Sequence, residues 1–256
     1  MFRLSPHRLS TFRQCPRRYR FRYVDACHPE LHKQWPFLIL GQNVHATLRA
    51  LLRPGNHDRS YAHARALLTT CWRENRHGFS SRVEEEEYWR RALDQLRWFC
   101  GTEEAQVRPA NLEATYSTYL ASDFRLEGKV DRVDEDADGG YHIVDYKTSK
   151  TSRNVDPSQL LIYVLLLHRS LDFDVRSASY LFLNGDGRRT LYPQAPDLKG
   201  AVEELFEARA DIEAERRFAP NPCVLCRWCD FLELCPAGQE AVGVPCPDDP
   251  DWDEEQ

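Results

Sequence analysis

The period of the apolar positions changes part-way along the chain. Over residues 36–53 Val44, Leu48 and Leu52 recur every four residues, which predicts a helix with one buried stripe. Two more helical segments are predicted at 60–75 and 82–100. The second is charged at its start, "RVEEEEYWRRALDQLRWF", and apolar along Trp89, Leu93, Leu96 and Phe99. Upstream, "LSPHRLSTF" offers Ser5 as an N-cap and Pro6 as a first helical residue. Cys15-Pro16 breaks that helix, and a second runs through "RRYRFRYV". Near residue 111 the texture changes. "LEATYSTYL", "FRLEGKVDRVDE" and "YHIVDYKT" read as three strands, the last two joined by the turn-rich "DADGG". "DPSQLLIYVLLLHRS" is expected to be a crossover helix capped by Asp156 and opened by Pro157. "RSASYLFLN" and "RRTLYP" form a hairpin around "GDG", and residues 197–216 make an acidic amphipathic helix.

With no repeat and no Gly-rich linker, the pattern predicts one α/β domain over residues 1–245. Its helical part covers 1–110. A small mixed sheet with its crossover helix covers 111–196. A last helix and a cysteine clasp cover 197–245, followed by a disordered acidic tail at 246–256.

Composition changes this picture little. The chain has 256 residues and is 42% hydrophobic, enough for a substantial core. The net charge of −6 lies in the tail: the last eleven residues carry six acids and no base. Residues 1–30 hold seven arginines against Asp25 and Glu30, an excess that suits phosphates or a solvated helix face equally. The amino end has no apolar signal region, and the longest apolar run, "LLIYVLLL", is too short for a bilayer. A soluble, cytoplasmic protein without membrane contact is expected.

The chemistry gathers at "HIVDYKTSK". Alternate residues of a strand share a face, so Asp145 and Lys147 point the same way. Asp131, in "GKVDRVD", lies one strand earlier. If the two strands pair around "DADGG", both carboxylates reach one end of the sheet. Two carboxylates at close range repel unless a cation lies between them, and such oxygen ligands suit Mg²⁺ or Mn²⁺. Lys147 can then hold the attacking water or stabilise developing charge. The alternative for a lone D-x-K is a surface salt bridge. Gly41 and His45 of "GQNVHATL" share a helical face, where His45 is a candidate nitrogen ligand or a hydrogen-bonded core residue. Gly41 would let that face approach a neighbouring backbone closely. Gln159 and Tyr163 of "QLLIY" share another face, where they orient Lys147, bind phosphate or edge the core.

"GQNVH", "GKVDRVD", "IVDYK" and "QLLIY", in that order after "SPHRLSTFRQCPRRYRFRYV", resemble the RecB-like branch of the PD-(D/E)XK nucleases. The likeness spans about residues 5 to 236. It implies a restriction-endonuclease-like α/β core, with N-terminal helices and a C-terminal cysteine clasp, acting as a metal-dependent DNA nuclease. By position it implies His45, Asp131 and Asp145 as metal ligands, Lys147 as the catalytic lysine, and Gln159 and Tyr163 as the glutamine–tyrosine helix motif. Glu113, on the first strand, matches an acid found in some relatives.

Nine cysteines in an unsecreted chain point to metal rather than disulfides. From spacing, Cys223, Cys226, Cys229 and Cys235 form a local set, and zinc is the simpler metal. The resemblance implies a different set: Cys15 with Cys226, Cys229 and Cys235, holding a [4Fe–4S] cluster that staples the N-terminal helices to the nuclease core. Some 210 residues separate Cys15 from Cys226, so that closure restricts the unfolded chain. Cys223 would then be spare; Cys27, Cys71, Cys100 and Cys246 are core or surface thiols. Arg17, Arg18, Arg20 and Arg22, interleaved with Tyr19, Phe21 and Tyr23, suit single-stranded DNA, although at least one ring is expected in the core. Arg132 is a further candidate phosphate contact. No Walker A loop is present, so any helicase would be a separate partner. The expected function is a single-strand DNA exonuclease in repair or processing. The competing expectations are a non-catalytic iron–sulfur scaffold that binds nucleic acid beside a helicase or repair complex, and a zinc-clasped protein unrelated to nucleic acids.

Overall fold

The computed structural model describes residues 1–25, 31–149 and 156–242. The acidic tail expected at 246–256, Cys27 and Cys246 lie outside the described residues. Two compact units are present. The first gathers residues 1–33, 119–126 and the chain from 199 onward; the second gathers 34–118 and 127–198. Among the described residues no helix is long and apolar enough to cross a membrane.

In the first unit a short strand β1 (Phe2–Leu4) pairs in parallel with Phe124–Leu126, the start of a longer strand. Helix α1 (Pro6–Gln14) starts as the sequence predicts, with Ser5 Oγ accepting the Arg8 N–H at 3.2 Å. Cys15 is extended, and Pro16 opens α2 (Pro16–Tyr19), which loosens into a π-helical turn, Arg20–Val24. The expected second helix is therefore shorter and less regular than its sequence suggests. Helix α7 (Ala195–Ala214) begins and ends two residues before the predicted span. Two 3₁₀ turns, Val224–Trp228 and Leu232–Leu234, and helix α8 (Pro236–Ala241) complete the described part of this unit.

The second unit starts with α3 (Pro36–Leu52), α4 (Tyr61–Glu74) and α5 (Arg82–Cys100). Ser60 and Ser81 cap α4 and α5, accepting from His63 N and Glu84 N. The four-residue stripe of α3 is buried: Leu40, Val44, Leu48 and Leu52 pack with Leu68, Leu96 and Phe99 into one apolar cluster. A mixed sheet follows, built from β2 (Pro109–Ala121), β3 (Phe124–Glu135), β4 (Tyr141–Lys147), β5 (Val175–Phe182) and β6 (Gly187–Leu191). Strand β3 pairs with β2 and runs antiparallel to β4; β4 runs parallel to β5, and β6 returns antiparallel. Crossover helix α6 (Ser158–Leu171) supplies the β4-to-β5 connection. It begins one residue later than predicted: Pro157 stands at the cap, and Asp156 Oδ1 accepts the Ser158 N–H at 2.8 Å. Gly128 of β3 permits the close approach of α6, because a Cβ there would lie 2.8 Å from Leu166 Cδ1 and 3.2 Å from Tyr163 Cε1.

One buried polar network braces the sheet. Arg132 is fully buried. It donates to Glu104 Oε2 (2.6 Å), Asp134 Oδ2 (3.0 Å) and the Tyr146 hydroxyl (3.2 Å). Arg188 of β6 grips the other oxygen of Glu104 and donates to His142 Nε2 at 3.0 Å. Arginine has no acceptor, so Nε2 carries no proton and Nδ1–H faces Ser177 Oγ. Burial, then the charges of Arg188 and Arg132, lower the His142 pKa from 6.5 to about 4. This network overturns the expectation that Arg132 meets a phosphate. It lies beside Asp131 in sequence, and strand alternation turns it to the opposite face, where its donors are taken.

Two outcomes follow from this network. Arg132→Met should lower unfolding stability by roughly 3–5 kcal/mol in urea titrations, because buried carboxylates lose their cation; a loss under about 1 kcal/mol would contradict it. A histidine whose folded pKa is depressed stabilises above its unfolded value of 6.5 and loses that stability as pH falls towards 4. Wild type should therefore lose up to roughly 3 kcal/mol more than His142→Gln over that window.

Candidate active site

Strand register creates the site. Arg132 pairs with Val144 across the antiparallel β3–β4 ladder, so one step further Asp131 faces Asp145. Both side chains are buried, at 8% and 4% exposure. Their partners differ. Asp131 Oδ2 accepts the backbone N–H of Tyr146 at 2.9 Å, and Asp131 Oδ1 lies 3.3 Å from His45 Nδ1 on α3. Asp145 Oδ2 lies 2.8 Å from Lys147 Nζ, two residues along the same strand face. Burial, then repulsion from Asp131, raises the Asp145 pKa to about 6 against the opposing pull of Lys147.

His45 has the larger perturbation. Burial alone would lower its pKa, but polar contact of the imidazole with the Asp131 and then the Glu113 carboxylate, followed by the charges of Asp131 and Asp145, outweighs that and carries it to about 10. The imidazolium and Lys147 balance part of the buried negative charge. His45 is held on the face of α3 next to buried Val44 and Leu48, and its ring meets Tyr146 edge-on at 5.7 Å. Gly41, one turn earlier, faces a side chain rather than the expected backbone: a Cβ there would lie 3.4 Å from Thr148 Oγ1.

Glu113 joins this group. Its Oε1 lies 3.5 Å from His45 Nδ1, a charge contact too long to satisfy a buried oxygen, which has no hydrogen-bond partner. Its other oxygen pairs with Lys129. Burial pushes the Glu113 carboxyl up, but His45 and Lys129 win and lower it. Glu113 has φ +50°, a left-handed conformation that is costly for a non-glycine residue inside a strand. Donor atoms of His45, Glu113 and Asp131 lie within 4.8 Å of one another, a set of oxygen and imidazole donors that fits a divalent cation. The predicted trio shares two members with it; Asp145 stands outside, held by Lys147. Sequence reasoning gave Glu113 too little weight. The signals were an acid on a predicted strand and its match to an acid in some relatives; a positive φ leaves no mark in the sequence.

A relay of hydrogen bonds extends from the lysine. Lys147 Nζ donates to Gln159 Oε1 at 2.9 Å, and Gln159 Nε2 donates to the Tyr163 hydroxyl at 2.8 Å. The ammonium also sits 4.6 Å from the centre of the Tyr180 ring. Burial, followed by the Asp145 and Asp131 charges, raises the Tyr163 pKa and keeps its phenol protonated. Gln159 and Tyr163 are therefore joined to the lysine rather than left at the core edge.

A second cluster lies in the first unit. One cavity is lined by Cys15, Cys226, Cys229 and Cys235, with Arg17, Arg18 and Phe21. Asn221 N–H points at Cys15 Sγ (3.5 Å) and Cys223 N–H at Cys226 Sγ (3.4 Å). Burial raises the Cys229 thiol, against a backbone hydrogen bond from Phe231 and, after it, the charge of Arg18. Cys223 does not line the cavity. Tyr19 is buried, as expected for one ring. The arginines of this segment have internal partners: Arg17 Nε donates to the Phe218 carbonyl (2.9 Å), Arg18 Nη1 to Gln14 Oε1 (2.7 Å) and Arg20 Nε to Asp25 (3.0 Å).

No curated protein matches the chain significantly. Among solved structures, an Eubacterium rectale protein provisionally designated an exonuclease aligns with a TM-score of 0.57 at 12% identity. The alignment covers 88% of this chain and 86% of that one, a likeness of fold. The crystal structure of SSO0001 aligns with a TM-score of 0.45 at 13% identity over 92% of this chain and 86% of that one. The family model of the PD-(D/E)XK nuclease superfamily matches residues 3–236. That span includes every residue of the carboxylate–lysine site and all four cavity thiols, and the chain belongs to the PD-(D/E)XK nuclease superfamily.

Proposed function

We propose that this nuclease is a RecB-like, Mg²⁺- or Mn²⁺-dependent exonuclease that trims single-stranded DNA ends in repair or processing, alongside a separate helicase. The observation that carries the reading is the meeting of His45, Glu113 and Asp131 beside the Asp145–Lys147 pair. His45, Asp131 and Asp145 would hold the cation, with Glu113 as a further carboxylate. A divalent ion there supplies Lewis acidity, neutralising phosphoryl charge and making its water more acidic. Lys147 holds the attacking water and faces the charge that builds on the phosphate. Gln159 fixes the ammonium of Lys147, and Tyr163 fixes the amide of Gln159. Within the interleaved residues 17–21, Arg20 supports the single-strand preference. Arg20 keeps 43% of its side chain exposed despite its bond to Asp25.

For the clasp, we infer the [4Fe–4S] cluster that the family resemblance implies. Four thiols lining one cavity and two N–H groups aimed at sulfur suit a cluster bound by Cys15, Cys226, Cys229 and Cys235. It would tie the first helices to the C-terminal turns. A non-catalytic scaffold is disfavoured because every catalytic position is filled and hydrogen-bonded or ion-paired.

End-labelled single- and double-stranded DNA, incubated with Mg²⁺ or Mn²⁺, should be degraded from its ends, single strands faster. Lys147→Ala should slow turnover by roughly 10²–10⁴-fold, and Asp145→Ala should abolish it. Loss of DNA at equal rates in wild type and Asp145→Ala would sink the assignment. Binding is separable from turnover. Mn²⁺ at a hundred times its Kd should stabilise wild type by about 2.7 kcal/mol and raise Tm by about 5–10 °C. Asp131→Asn should lose that shift and Glu113→Gln should lose part of it; an undiminished shift in Asp131→Asn would rule out this cation site.

A further inference from the structure

The amino-terminal arginines look alike in sequence but not in space. Arg17 and Arg18 both line the thiol cavity. Arg17 spends its Nε–H on the Phe218 carbonyl, and Arg20 spends its own on Asp25. Arg18 differs. One arm of its guanidinium is anchored on Gln14 Oε1, while its Nε is buried and has no hydrogen-bond partner among the described residues. A guanidinium has five N–H donors and no acceptor, so a buried open N–H is costly unless an acceptor arrives. The groups that share its cavity include Cys15, Cys226, Cys229 and Cys235.

We propose that Arg18 is a positioning residue of the thiolate site rather than a nucleic-acid contact: its Nε–H serves a sulfur of the bound cluster, and its charge favours the cluster's reduced state. The inference rests on the iron–sulfur reading above. A [4Fe–4S] cluster with four thiolates carries two negative charges when oxidised and three when reduced. A fixed cation in a site of low dielectric therefore stabilises the reduced form more, and hydrogen bonds to sulfur act in the same direction. The anchor on Gln14 holds the fork in place, so little ordering remains to be done when the cluster binds.

The test uses the full chain, purified without oxygen and reconstituted with iron and sulfide. Iron content, the one-electron midpoint potential and the spin-resonance spectrum of the reduced cluster are measured for wild type, Arg18→Gln and Arg18→Lys. Arg18→Gln should keep the wild-type iron content and shift the reduced-to-oxidised ratio about tenfold towards oxidised, a potential about 59 mV lower. Arg18→Lys keeps the charge and loses the planar fork, so its shift should be smaller. It carries the test if the glutamine variant fails to hold iron. Potentials equal to wild type in both variants would overturn the inference, and would do so equally if Arg18→Gln weakened single-stranded DNA binding instead. Wild-type protein that is colourless and zinc-loaded would overturn the iron–sulfur reading itself, and this inference with it.

Discussion

Two buried carboxylates stand opposite each other on neighbouring antiparallel strands, and the second unit is arranged around that repulsion. The register that pairs Arg132 with Val144 places Asp131 across from Asp145. Like charges so close in a poorly screened interior are tolerated only when cations surround them. Three do so here. His45 is driven to a pKa of about 10, Lys147 bridges to Asp145, and Lys129 holds the neighbouring Glu113. A site that must recruit protons and ammonium groups to balance its charge is a site where a divalent cation binds well.

Residue 146 links this charge cluster to the rest of its unit. Its backbone N–H fixes Asp131, its ring meets His45 and Phe99, and its hydroxyl accepts from the buried Arg132. Because side chains alternate along β4, Asp145 and Lys147 turn one way while Tyr146 turns into the core. The geometry of the carboxylate–lysine pair is therefore set by packing on the opposite face. The same economy appears at Gly128, whose missing side chain lets α6 bring Tyr163 down onto the sheet. Tyr163 then orders Gln159, and Gln159 orders Lys147.

The thiol cavity follows a different logic. Cys15 sits in an extended break between two helices; Cys226 lies in one short 3₁₀ turn, and Cys229 and Cys235 directly follow the two turns. Such segments have few bonds of their own. Asn221 bridges them, donating from its side chain to the Gln14 carbonyl and from its backbone to Cys15. Phe218 holds a left-handed conformation, φ +46°, and offers its carbonyl to Arg17. Structure is held here by long-range bonds around the thiols.

Much of this was legible in the chain. The four-residue stripe of α3, the alternation through β3 and β4 and the turn at "DADGG" follow from backbone periods that each segment carries by itself. So do the shared face of Asp145 and Lys147 and the one-turn spacing of Gln159 and Tyr163. Alternation also sufficed to send Arg132 away from Asp131, although its charge pointed to phosphate. What only the tertiary structure decided is which remote group each side chain meets. It brought a strained Glu113 to His45, buried Arg132 against Glu104, and turned Arg18 into the thiol cavity. Local spacing says where a side chain points. Its partner is set by the packing of distant segments, because the cost of burying a charge depends on what the rest of the fold places beside it.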